Sequence, residues 1–187
     1  MTTTQPKGMP RTRAAGLWAT AAGTGILLAA VDLTSTPGYP WIALAVFTAA
    51  AVAIAVVDVR TKLLPNRYTG PLALAAALQV IAVSISTHNA GIALQAVPAA
   101  AIVLVAYTIM AMIGWFGFGD AKFAGALTLF TAIWAGWLAI YLIPIAVLIS
   151  GGERAVRMLS GRGRSAHAHG PSIAAAGTLL AFASIIL

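Results

Sequence analysis

Residues 68–119 read YTGPLALAAALQVIAVSISTHNAGIALQAVPAAAIVLVAYTIMAMIGWFGFG, 52 positions without one Asp, Glu, Lys or Arg. At 1.5 Å of rise per residue a single helix of that length would run roughly 78 Å, against a hydrocarbon core of about 30 Å. The polar patch Ser86-Thr87-His88-Asn89-Ala90-Gly91 divides it into two lengths, each sufficient for one crossing. Charge-free stretches also cover 14–31, 33–57, 123–152 and 165–187. The first, second and last of these hold one span each. Stretch 123–152 is long for one span and short for two. Gly136, flanked by Trp134 and Trp137, marks a tight turn at an aromatic interface belt, so this stretch reads as two helices, the first one short. The expected fold is all-α, a polytopic integral membrane helix bundle of about seven segments, or six if 123–152 crosses once.

Composition agrees. Of 187 residues, 60% are hydrophobic and 8% charged, where a soluble domain carries about a quarter charged. Eleven basic and four acidic side chains cannot clothe a water-soluble globule, which excludes a soluble enzyme. Disorder is excluded too, because it requires low hydrophobicity. The absence of Cys removes disulfides, thiolate metal sites, iron–sulfur clusters and cysteine nucleophiles.

The net charge of +7 resembles a nucleic-acid signal, but its distribution describes topology. With the N-terminus in the cytoplasm, the inner pieces hold Lys7, Arg11 and Arg13; Arg60, Lys62 and Arg67; Lys122; and Arg154, Arg157, Arg162 and Arg164. That is every Lys and Arg of the chain, as the positive-inside rule asks. No nucleic-acid partner is expected. Residues 1–13 form a basic cytoplasmic head, and 14–187 a single membrane-embedded domain. Within it, 14–31 is a retained anchor helix, since Leu28-Ala29-Ala30-Val31 lacks a clean signal-peptide cleavage site. The core that carries the motifs spans 41–187, and the segment 160–170 reads as a flexible loop.

The four acids are Asp32, Asp58, Asp120 and Glu153. Asp32 on the outer side and Glu153 beside Arg154 in a cytoplasmic loop read as solvated charges. Asp58 closes the second helix and Asp120 opens the fifth. One out-and-back helix pair lies between them, so both return to the cytoplasmic boundary. Ionisable groups at membrane depth are costly and usually functional. Either aspartate alone would more often be an interfacial charge. Asp120 at a helix N-terminus is electrostatically comfortable, whereas Asp58 at a helix C-terminus needs a compensating base, such as Arg60 or Lys62, or a purpose. Two carboxylates sharing a site do not both ionise freely. Such a pair can hydrolyse a peptide bond, one carboxylate activating water while the protonated partner polarises the carbonyl.

Asp58-Val59-Arg60-Thr61-Lys62-Leu63-Leu64-Pro65-Asn66 resembles the D-x6-P-[DN] segment of prepilin peptidases, the type IV leader peptidases. Gly117-Phe118-Gly119-Asp120-Ala121-Lys122-Phe123 resembles their G-x-G-D-x-K-[LF] motif, and Gly170-Pro171-Ser172-Ile173-Ala174-Ala175-Ala176-Gly177 is similar to their last helix start. The resemblance implies a membrane aspartic endopeptidase with Asp58 and Asp120 as catalytic carboxylates. Its substrate would be a prepilin-like precursor, with a short basic leader cut from an apolar helix at the cytoplasmic face of a bacterial or archaeal cytoplasmic membrane. Larger members carry a Cys-x-x-Cys region for methylation. A chain without Cys resembles the compact, peptidase-only form of Tad/Flp-type and archaeal preflagellin systems.

Other residues have physical jobs beside the resemblance. Gly117 and Gly119 let the chain turn tightly and admit a substrate backbone, and Pro65 stops the second helix. Asn66 follows Pro65 in the motif, and Pro171 starts the last helix. Lys122 is a candidate to tune the carboxylates or hold substrate, although one flanking lysine is more often a topology marker. His167 and His169 form an i, i+2 pair in the loop, and no metal or organic cofactor is expected. Two alternatives remain at this stage. One is a small transporter or proton relay using the carboxylates. The other is a presenilin-like intramembrane protease, which also uses G-x-G-D but pairs it with Tyr-Asp and Pro-Ala-Leu; here Val57 precedes Asp58 and no Pro-Ala-Leu occurs.

Overall fold

The computed structural model describes residues 39–160 and 168–187. The anchor helix 14–31, the head 1–13, Asp32, and Arg162, Arg164 and His167 lie outside the described residues. Among those described, 89% are helical and none is in a strand, so the backbone satisfies its own polar groups as an apolar layer demands. The elements are α1 (Tyr39–Thr61), α2 (Asn66–Ser86), α3 (Ala90–Met112), α4 (Phe118–Ala135), a 3-10 segment (Gly136–Tyr141), α5 (Leu142–Leu159) and α6 (Gly170–Ile186). Four continuous helical stretches are long and apolar enough to cross a membrane: 39–61, 66–86, 90–112 and 118–159.

The expected divisions fall where the sequence put them. Between α2 and α3, His88 takes a positive φ of 51°, and the Asn89 side chain accepts the Gly91 N–H at 2.9 Å. The stretch 118–159 has 42 residues, about 63 Å as one straight helix, twice the thickness of the layer. Its break is at Gly136, whose φ of 54° and ψ of −132° end α4 and begin the 3-10 segment.

Packing is inverted relative to a soluble bundle. The interior is built from small residues, among them Ala43, Ala51, Ala76, Ala96, Ala99, Ala124 and Ala176, while Val52, Val56, Ile81, Ile102, Val105 and Ile109 face outward. In lipid the outward face costs nothing, and small interior residues let helix backbones approach closely. Central α4 packs against α2, α3 and α6, and α1 packs mainly on α6. Phe47 of α1 stacks on Phe130 of α4 with centroids 3.7 Å apart. The buried residues of α1 recur as 43, 47, 51, 54, 55 and 58, a helical stripe that carries Asp58 to the inside.

Two local readings need correction. α1 runs one turn past Asp58 and stops at Lys62, which adopts φ 55° while its N–H bonds the Asp58 carbonyl at 2.7 Å. Pro65 therefore does not stop this helix; it precedes α2 as its cap residue, extended at φ −72° and ψ 148°. Likewise Glu153 is not in a loop beside Arg154. It lies within α5, paired with Arg157 one turn on at 2.7 Å, because the apolar helix simply continues to Leu159.

Gly177 marks a close three-helix seam: a Cβ there would sit 3.3 Å from Leu127 of α4 and 3.5 Å from Leu142 of α5. Gly177→Leu is expected to cost about 1–3 kcal/mol by overpacking, read as a lowered thermal midpoint in detergent. Gly151→Leu, at a helical position with nothing within 4 Å, should leave the midpoint unchanged or raise it.

Candidate active site

Five element ends converge on one face of the bundle: the C-termini of α1 and α3 and the N-termini of α2, α4 and α6. Asp58 and Asp120 lie among them, 5% and 8% exposed, close enough to interact through their charges. The two acids separated by 62 positions in sequence are thus brought together.

Each carboxylate is held by a backbone amide. Gly117 precedes α4 with φ −89° and ψ 152°, and its N–H donates to Asp120 Oδ2 at 2.9 Å, while its carbonyl accepts the Asp120 N–H at 3.0 Å. This is a reciprocal cap at the positive end of a helix. Asp58 is held across 112 positions of chain by the Gly170 N–H, which reaches its Oδ2 at 2.8 Å. The unfavourable placement at the end of α1 is resolved here, because Asp58 also sits at the N-terminus of α6, where free amides and the helix dipole favour negative charge. Arg60 and Lys62 are exposed, and among the described residues no ion pair reaches Asp58. The compensating group is a peptide N–H, not a base.

The glycines act through closeness. Gly119 does not make the turn; its φ is not positive, and the loop's left-handed residue is Gly114 at φ 81°. A Cβ on Gly119 would lie 2.5 Å from Leu64 Cβ and 2.6 Å from the Leu64 carbonyl oxygen. It therefore admits the α1–α2 connection against α4. A Cβ on Gly170 would lie 2.8 Å from Asp58 Oδ2, so only glycine lets this amide reach the carboxylate. At the rim, Lys122 Nζ donates to Asn66 Oδ1 at 2.6 Å, a second tie between the same two segments.

His169 corrects the reading of 160–170 as a uniformly flexible loop. It is 4% exposed, its Nε2 lies 3.2 Å from Tyr107 Oη, and its carbonyl accepts the N–H groups of Ser172 and Ile173 that open α6. Tyr107, fully buried on α3, interacts with the charge of Asp120. Sequence reasoning passed over Tyr107 and Phe116 and read His169 only as half of a histidine pair in a loop. The available signals were a lone phenol in an apolar span and an aromatic residue directly preceding each of two motif glycines.

The protein is therefore a multi-pass membrane protein with two buried carboxylates clasped by amides at one end of its bundle. The model of the type IV leader peptidase family matches residues 45–152, more than half of the chain, and the chain belongs to that family. The match includes Asp58 and Asp120 and ends before α6. No curated protein and no solved structure matches the chain significantly. Membership makes it a peptidase, which speaks against the transporter reading.

Gly170→Ala should displace the amide from Asp58 and lower precursor cleavage in membranes by about tenfold or more. A charge-assisted hydrogen bond of this kind is worth about 1.5–3 kcal/mol. The ratio of precursor to mature product at equal enzyme level measures it.

Proposed function

We propose that the chain is an aspartic endopeptidase that removes the short basic leader of a prepilin-like precursor at the cytoplasmic face of the membrane. The observation that carries the reading is the convergence of Asp58 and Asp120, each buried and each accepting one backbone N–H through a single oxygen. The second oxygen of each carboxylate is then available for a water or a substrate carbonyl.

In the proposed reaction the ionised carboxylate takes a proton from a water as its oxygen adds to the scissile carbonyl carbon. The protonated partner donates to the carbonyl oxygen. As the tetrahedral adduct collapses, one of its hydroxyl protons returns to the second carboxylate, the C–N bond breaks, and the proton held by the first carboxyl passes to the leaving amine. No side chain becomes covalently attached, and the pair returns to one proton shared between two acids. Lys122, Asn66, Gly117, Gly119 and Pro65 shape the site around the carboxylates. The apolar helix of the precursor would pack laterally against the small-residue helices. The absence of Cys from the sequence favours a Tad/Flp-type pilin as substrate.

Asp58→Asn and Asp120→Asn should each reduce cleavage of a co-expressed prepilin by roughly a hundredfold or more, because the two groups act as a unit. Retained processing in either variant at normal enzyme level would refute the dyad.

The proposed topology has the N-terminus and the carboxylates inside and seven segments, with 14–31 the first. A chain without Cys suits cysteine labelling. An impermeant maleimide should label His88→Cys in intact cells and Leu63→Cys only after the membrane is opened. The reverse pattern would invert the orientation.

A further inference from the structure

Each carboxylate-holding glycine directly follows an aromatic residue: Phe116 precedes Gly117, and His169 precedes Gly170. Those two rings stack on one another with centroids 4.1 Å apart and planes 17° from parallel. Tyr107 adjoins both, its ring 5.5 Å from Phe116 and 5.8 Å from His169, and its hydroxyl is within hydrogen-bond reach of His169 Nε2. The chain of contact is continuous: Asp120 Oδ2, Gly117 N–H, Phe116 ring, His169 ring, Gly170 N–H, Asp58 Oδ2.

We infer that the Phe116–His169 stack, backed by Tyr107, is a spacer that sets the separation and orientation of Asp58 and Asp120. Both are positioning residues acting through the adjacent amides. The stack joins two elements that otherwise belong to different parts of the chain, the α3–α4 connection and the start of α6. Offset parallel rings resist both approach and separation. The amide one bond away from each ring inherits that constraint. A shift at one ring therefore reaches the carboxylate held beside the other. Two acids that share a proton across a water depend on their spacing, since a misplacement of about 1 Å can cost a hundredfold in rate. Tyr107 fixes the His169 ring in its plane and closes the third side of the cluster.

The kinetic part of this inference rests on the peptidase reading; the structural part does not, and the experiment separates them. The full chain, labelled with 15N-glycine in detergent micelles, gives amide exchange rates for Gly117 and Gly170. His169→Ala should speed exchange at Gly117, on the opposite side of the stack, by tenfold or more. Phe116→Ala should do the same at Gly170, and it tests the stack independently should His169→Ala fail to fold. His169→Phe, which keeps the stacked ring, should hold both rates within threefold of the wild type. In membranes with a co-expressed prepilin, the two alanine variants should lose at least tenfold in kcat with KM within twofold, and His169→Phe should recover most of it. Unchanged exchange across the stack, or His169→Phe no better than His169→Ala, overturns the spacer. Coupled exchange in a wild-type enzyme that cleaves no prepilin would leave the spacer standing and refute the peptidase reading instead.

Discussion

A carboxylate at the edge of the hydrocarbon layer must find its hydrogen-bond donors inside the protein, and Asp58 finds one in the Gly170 N–H at 2.8 Å. Much of the bundle serves that contact. α6 must begin at the level where α1 ends, so it runs antiparallel to α1 and packs along it. Position 170 must lack a side chain, because a Cβ would lie 3.1 Å from Asp58 Cβ as well as crowding the carboxylate oxygen. The His169 carbonyl must be engaged by Ser172 and Ile173, which turns the following amides toward the acid. Asp120 solves the same problem locally, three residues from its donor Gly117. One half of the pair is thus a short-range cap and the other a long-range closure of the fold.

The packing follows from the same solvent. In lipid, large apolar side chains gain nothing by turning inward, so the interior is left to residues that allow close approach. α4 is buried on nearly every side, and glycines at its seams, Gly125 against Leu104 and Gly177 against Leu127, let its neighbours approach. Thr131 Oγ1 donates to the Gly177 carbonyl at 3.3 Å, and Thr128 Oγ1 to the Ala124 carbonyl at 2.8 Å, so these polar interior groups are satisfied.

Four membrane-length helical stretches and the approach of the two acids were legible in the sequence, because run length between charges limits where a chain can cross. The turns at 87–89 and at Gly136 were legible too, since polar or Gly-centred interruptions of apolar runs have few other uses. What escaped was carried by backbone or by proximity. The donor to Asp58 is a peptide N–H, which nearly every residue possesses, and no spacing rule joins positions 58 and 170. The end of α1 is set by a left-handed lysine at 62, a conformation that composition does not advertise. Gly119 has the right identity for a reason other than turning: its neighbour is the Leu64 carbonyl. His169 looked like part of a polar loop because Arg162, Gly163 and Arg164 come just before it. Its burial follows from a ring partner 53 positions earlier, in Phe116.

The choice of backbone amides over cations around the carboxylates has a chemical consequence. An Arg or Lys paired directly with either acid would stabilise one protonation state by several kcal/mol in a poorly solvated site. The pair would then lose the interchange of base and acid on which the proposed hydrolysis depends. The basic residues nearest in sequence, Arg60, Lys62 and Lys122, are exposed at the rim, and Lys122 is engaged by Asn66 rather than by Asp120. A neutral N–H orients one oxygen of each carboxyl group whichever partner holds the proton. The site is therefore positioned without being fixed in charge, while the cations remain where the membrane boundary can solvate them.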